Sequence, residues 1–193
     1  MSDEAMSDEA MNGEDCAPEP PANWLDLVVL IGPPGAGKST VGRALAAELG
    51  VPFRDTDDDV EAAAGMSITD IFLEYGEPRF RELEREAVAL ALAEHEGVLA
   101  LGGGAILDPE TSLRLRPYQV IFLDVGLADA SKRVGLAQSR PVLALNPRSE
   151  LNRLLQERRP FYVDNAKATV DTTGLDVDEV LDEVLDVLIW PGR

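Results

Sequence analysis

The stretch that most constrains this chain is 27–40, LVVLIGPPGAGKST. A short apolar run leads to Gly32, four residues intervene, and Gly37-Lys38-Ser39 follows. This is the G-x-x-x-x-G-K-[ST] pattern of a phosphate-binding loop, which needs a strand before it and a helix after it. Its glycines let the backbone bend and turn N–H groups inward. The helix that begins there adds unpaired N–H groups and the positive end of its dipole. Lys38 has the reach for β- and γ-phosphates, and the Ser39 hydroxyl suits Mg²⁺. A nucleoside-triphosphate site in an α/β fold is therefore expected. What receives the phosphate is open at this point.

The 193 residues, 45% of them apolar, fit one folded domain with a real core. A formal charge of −19 argues against nucleic acid or anionic membrane as a partner. No apolar run approaches the ~20 residues needed to span a bilayer. The single cysteine, Cys16, excludes an internal disulfide and fits a reducing, cytoplasmic setting. Residues 1–23 repeat MSDEA and carry seven acids with no Lys or Arg. Such a segment buries too little apolar surface to offset its ordering entropy, so it is expected to be a disordered acidic tail ahead of a domain at 24–193.

From Leu25 the chain alternates short apolar runs with helical patterns, as a doubly wound parallel sheet does. Strands are expected at the loop, at 51–54, 98–101, 119–124 and 168–171, five in all. Helices are expected after Lys38, over 67–75, from Pro78 to about His95, after Asp108-Pro109, over 127–137, around Leu151, Leu154 and Leu155 with a stop at Pro160, and at the C-terminus. Segment 138–149 is polar, contains Pro141 and Pro147 and lacks periodicity, so it is the candidate lid. In such sheets ligands bind at the carboxyl ends of strands. The phosphate loop, Asp55–Asp57 and Gly102-Gly103-Gly104 all fall there.

Asp55 and Asp57 lie two apart at a strand end. A kinase of this type needs one carboxylate near Mg²⁺ and one for the acceptor hydroxyl. Asp58 and Asp59 read as a solvated acidic turn. Asp124 closes VIFLD, which imitates a metal-binding strand, but a structural role at the strand end is favoured. Arg81 and Glu84 share a helix face. Three glycines after a buried strand call for something close to the backbone, for which a small substrate is the natural candidate. Arg133, Arg140, Arg148, Arg158 and Arg159 cluster around the lid, where guanidinium groups can neutralise phosphates or clamp an anion. His95, the one histidine, reads as an exposed residue at a helix end.

Taken together, GPPGAGKST, DTD at 55–57, SITDIF with GEPRFRELE at 67–84, LGGGAI at 101–106, SRPVL at 139–143 and ERRPFY at 157–162 resemble the shikimate kinase family of P-loop proteins, in that family's order. The resemblance implies ATP-dependent phosphorylation of the 3-hydroxyl of shikimate, with Mg²⁺ as cofactor and ATP as co-substrate. It implies that Gly35, Ala36, Gly37, Lys38, Ser39 and Thr40 hold the phosphates, with Ser39 and Asp55 near the metal. Asp57 would meet the acceptor hydroxyls, and Arg81, Arg158, Gly103 and Gly104 would bind shikimate. Arg140 would close onto the phosphates and Arg133 would stack near adenine. Arg158 rather than Arg159 matches the family's arginine. Thr172-Thr173-Gly174 departs from the pattern by supplying no arginine to the base pocket. The chain is expected to act as a monomer on small molecules. Alternatives are another small-molecule kinase, such as a gluconate-type kinase, and a non-catalytic nucleotide switch.

Overall fold

A computed structural model describes residues 27–135 and 147–188. They form a five-stranded sheet of β1 (Leu27–Ile31), β2 (Phe53–Asp55), β3 (Gly97–Ala100), β4 (Gln119–Asp124) and β5 (Ala168–Asp171), in the order β2-β3-β1-β4-β5. Every neighbouring pair is parallel, with Val29 opposite both Leu99 and Val120. The central strand is apolar at every position, as a strand covered on both faces must be. Its alternation divides the core. Val28 and Leu30 join Val41, Leu45, Val180 and Val184 on one face, while Leu27, Val29 and Ile31 join Val88, Leu92, Leu115 and Phe122 on the other.

The first face is covered by α1 (Lys38–Leu49), α6 (Leu127–Gly135) and α8 (Val177–Val187); the second by α4 (Gly76–Glu94) and α5 (Pro109–Leu115); α7 (Pro147–Asn165) joins the first through Leu151 and the second through Tyr162. Two short helices, α2 (Thr56–Ala64) and α3 (Ile68–Glu74), pack on α4 through a third cluster of Val60, Ile71 and Phe80. The chain leaves β1 toward β3 on one side and later returns to β4 on the other. The crevice of an open sheet therefore lies at the end of β1. Gly32 sits in that crevice with φ +150°, and a Cβ there would come within 2.5 Å of the Leu123 carbonyl oxygen. The loop can leave the sheet this close to β4 only as glycine.

Several expectations need correction. Asp58 and Asp59 are not in a turn but in the first turn of α2, a helix not anticipated. Asp55 caps it, and three acids in its first turn suit the positive end of the dipole. The helix after the proposed lid begins at Pro147, not after Ser149, and it runs through Pro160 to Asn165. Buried Leu151 and Tyr162 pin α7 on either side of the proline, and their packing outweighs the lost N–H bond. The long helix α4 starts at Gly76 rather than Pro78. His95 is half-buried rather than exposed; its Nε2 lies 3.1 Å from the Val98 carbonyl oxygen, and burial lowers its pKa below the ordinary value. The tail at 1–23 and most of the proposed lid lie outside the described residues.

Tyr162 ties α7 to the sheet by two separable means: its ring stacks on Phe122 at 5.0 Å and its hydroxyl donates to the Gly103 carbonyl. Tyr162→Phe should keep the stack and cost about 1 kcal/mol, whereas Tyr162→Ala should cost about 3–5 kcal/mol through the cavity it leaves. Urea unfolding of the two variants measures the difference.

Candidate active site

The phosphate loop folds as its pattern requires. Gly37 caps α1, and Lys38 opens it. The Lys38 ammonium donates to the carbonyl oxygens of Gly32 and Pro33, at 2.9 and 3.2 Å, so the charge is held over the mouth of the loop. The Ser39 hydroxyl donates to Asp55 Oδ2 at 2.6 Å. Asp55 Oδ1 accepts the Asp57 N–H at 3.0 Å, which is the α2 cap. One carboxylate thus joins the start of α1 to the start of α2. A hydroxyl beside a carboxylate, both hard oxygen donors, fits Mg²⁺ shared with nucleotide phosphates. Among the described residues no group of three or more His, Cys, Asp or Glu could hold a metal on its own.

A cavity of about 360 Å³ opens here, lined by Pro34, Gly35, Gly37, Lys38, Ser39, Thr40, Asp55, Asp57, Leu101, Arg133 and Val134. Ala36 does not line it; its side chain is buried in the core, which leaves only its backbone for a ligand. Arg133 donates to the Gly35 carbonyl at 3.3 Å, to Thr172 Oγ1 and the Thr172 carbonyl at 3.1 Å, and to the Leu175 carbonyl at 3.3 Å. It therefore staples α6 to the phosphate loop and to the segment that follows β5. The buried Thr172 is its partner at the position where the sequence departs from the family pattern.

The second part of the site is built on Gly102, Gly103 and Gly104, and its reason differs from the expected one. A Cβ on Gly102 would meet Asp57 Oδ1 and Glu84 Oε1, each at 2.6 Å. A Cβ on Gly104 would run into the Arg81 guanidinium, 2.8 Å from its central carbon. The glycines make room for the chain's own charged groups, whatever else binds beside them. The Gly103 carbonyl accepts from Arg158 Nη1 at 3.0 Å and from the Tyr162 hydroxyl at 2.5 Å. Arg159 turns away, its Nε 2.9 Å from Asp124 Oδ2. Thr56, between the two aspartates, is fully buried and accepts the Gly102 N–H at 3.0 Å. Sequence reading missed this threonine, although a β-branched hydroxyl between two site carboxylates was a signal.

Arg81 is held by Glu84 Oε2 at 2.5 Å and by Glu77 Oε1 at 3.0 Å. Burial works against its charge, but Glu84 and Glu77 outweigh burial and hold the guanidinium above its ordinary pKa. Glu84 is itself only 3% exposed, and its Oε1 has no hydrogen-bond partner. Burial pushes its pKa up, Arg81 opposes this, and nearby Asp57 adds to the upward shift. The desolvation of Glu84 outweighs the attraction of Arg81, because one oxygen gains no donor. Arg81, Asp57 and Arg158 thus surround one buried carboxylate. Arg140 lies outside the described residues.

A carboxyl whose folded pKa is raised adds stability below its ordinary value and loses it as pH rises through the folded value. Glu84→Gln removes that dependence. The melting temperature of the variant relative to the wild type should therefore rise between pH 4.5 and 7.5, which thermal unfolding across that range would test.

Comparison with known proteins agrees with this architecture. A family model described as Shikimate kinase matches residues 34–189. The chain is 56% identical to a shikimate kinase of Salinispora arenicola, over 84% of this chain and 97% of that one. It is 55% identical to one of Frankia casuarinae, over 84% and 72%. Among solved structures, shikimate kinase from Acinetobacter baumannii in complex with shikimate superposes with a TM-score of 0.81 at 34% identity, covering 86% of this chain and 93% of that one. The Aquifex aeolicus enzyme gives a TM-score of 0.71 at 32% identity, over 82% and 94%.

Proposed function

The chain belongs to the shikimate kinase family, and from that premise we propose how its residues divide the work. It transfers the γ-phosphoryl group of ATP to the 3-hydroxyl of shikimate, a step of aromatic amino-acid biosynthesis. One observation carries the assignment of roles: the phosphate loop and the Arg81–Glu84–Arg158 cluster meet at Asp57 and the three glycines.

The backbone of Gly35–Thr40 and the Lys38 ammonium hold the β- and γ-phosphates. Lys38 exchanges its two loop carbonyls for phosphate oxygens. Ser39 and Asp55 would hold Mg²⁺, directly or through water, and that ion supplies neutralisation of phosphate charge. Asp57 accepts the hydrogen bond of the acceptor hydroxyl and takes its proton as the new O–P bond forms and the bond to ADP breaks. Arg81 and Arg158 clamp the shikimate carboxylate bidentately, over Gly103 and Gly104. Arg133 flanks the base, and the family resemblance adds Arg140 as a further cation on the phosphates. We infer that the enzyme acts as a monomer. Among the described residues no helix is long and apolar enough to cross a membrane; a cytoplasmic location is part of the proposal and rests on the sequence's single cysteine.

An ADP-release assay with and without shikimate, with gluconate as comparison, tests the reading. Lys38→Ala should abolish turnover without a large change in melting temperature. Asp57→Asn should lose roughly 10²-fold or more in turnover while ATP still binds. Arg81→Lys and Arg158→Lys should each weaken shikimate binding by about 2–5 kcal/mol with little change for ATP, since a point charge cannot replace a planar fork. Calorimetric titration of each ligand separates these outcomes.

A further inference from the structure

Arg158 and Arg159 are neighbours on α7, so roughly 100° of helix rotation separates their side chains. Only one can face the glycine segment, and the residue type alone does not distinguish them. In the fold, Arg158 reaches the Gly103 carbonyl, and one turn later Tyr162 reaches the same oxygen. Arg159 points instead to Asp124 at the end of β4. Asp124 is fixed independently: its Oδ1 accepts the Val125 N–H at 2.9 Å, leaving Oδ2 aimed at Arg159. The Asp124 side chain is 23% exposed and that of Arg159 57%.

We propose that the Asp124–Arg159 ion pair is a positioning device for substrate specificity: it adds an outer tie to the rotation of α7, which buried Leu151 and Tyr162 hold from the inside, so that Arg158 alone is presented to the substrate carboxylate. The inference rests on the reading of Arg158 given above. It gives Asp124 a role other than that of the metal ligand which its place at the end of VIFLD imitates. Without Asp124, Arg159 is an exposed cation next to the clamp, able to draw the anion out of register with Asp57. Without Arg159, the helix keeps its two bonds to Gly103 and its buried Leu151 and Tyr162, but loses the tie from its outer face to the end of β4. A half-exposed ion pair contributes little to folding. Its loss should therefore register in substrate binding, where small displacements of a clamp are amplified.

Steady-state kinetics on the full chain test this. Asp124→Ala and Arg159→Ala should each raise the KM for shikimate about threefold to tenfold, leaving kcat and the KM for ATP within about twofold of wild type and the melting temperature nearly unchanged. The double variant should be no worse than the worse single one. Arg159→Lys, whose ammonium can still meet Asp124, should restore most of the affinity. Should Asp124→Ala not fold, the isosteric Asp124→Asn carries the same expectation. An unchanged KM in the pair variants, or a fall in kcat and melting temperature together with a raised KM, overturns the proposal. Arg158→Ala measured alongside separates two failures. If it raises KM while the pair variants do not, only the positioning role falls. If it too leaves KM unchanged, the reading of Arg158 as the clamp falls and takes the pair's role with it.

Discussion

The space above Gly102, Gly103 and Gly104 is occupied by charged groups of α2 and α4 and by Pro34 of the phosphate loop, and the rest of the site depends on that crowding. Asp57 and Glu84 meet over the first glycine, Arg81 lies over the third, and Pro34 of the phosphate loop comes close to the second. The Gly103 carbonyl anchors Arg158 and Tyr162 from α7. Side chains on these residues would push apart two carboxylates, a guanidinium and the phosphate loop together. The absence of Cβ atoms is what lets β1, β3, α2, α4 and α7 share one small volume.

Such convergence has an energetic cost, visible at Glu84. It is buried with one oxygen unpartnered, and burial raises its pKa despite the adjacent guanidinium. A group of this kind does not exist for stability. It holds Arg81 in a fixed orientation within reach of Asp57 and Arg158. The cost is carried by a sheet whose central strand is buried at every position and whose two faces are each packed by helices. The same division handles charge. The chain carries −19 overall, yet Lys38, Arg81, Arg133 and Arg158 converge at the carboxyl ends of the strands. On the proposed roles, anionic substrates would be recruited by local pairs rather than by a long-range field.

Wherever function depends on short, local patterns, the sequence was a good guide. The apolar run, glycine spacing and Lys-Ser pair of the phosphate loop define a strand, a turn and a helix start within a dozen residues, and each is found. The five strands were legible because buried parallel strands are short apolar runs bounded by glycine, proline and polar residues. The helix α2 was not legible. Asp58 and Asp59 in its first turn read as a solvated acidic turn after a strand end, and only the cap made by Asp55 and the packing of Val60 against Ile71 and Phe80 make it a helix. The continuation of α7 through Pro160 was hidden for a related reason: a proline argues locally for a stop, and contacts with the sheet override it.

By itself, then, the sequence determined the fold class, the phosphate-binding end of the sheet, and the inventory of charged groups that must gather there. Those follow from backbone conformations and periodicities that neighbouring residues impose on one another. Only the tertiary structure decided which groups meet. Thr56 finds Gly102 across 46 residues, Arg158 finds Gly103 across 55, and Arg159 is diverted to Asp124 across 35. The choice between two adjacent arginines is a rotation of one helix. That rotation is set by contacts with strands distant in the chain; the motif at 157–162 singled out Arg158 only through a family resemblance, and the physical reason lies in those contacts.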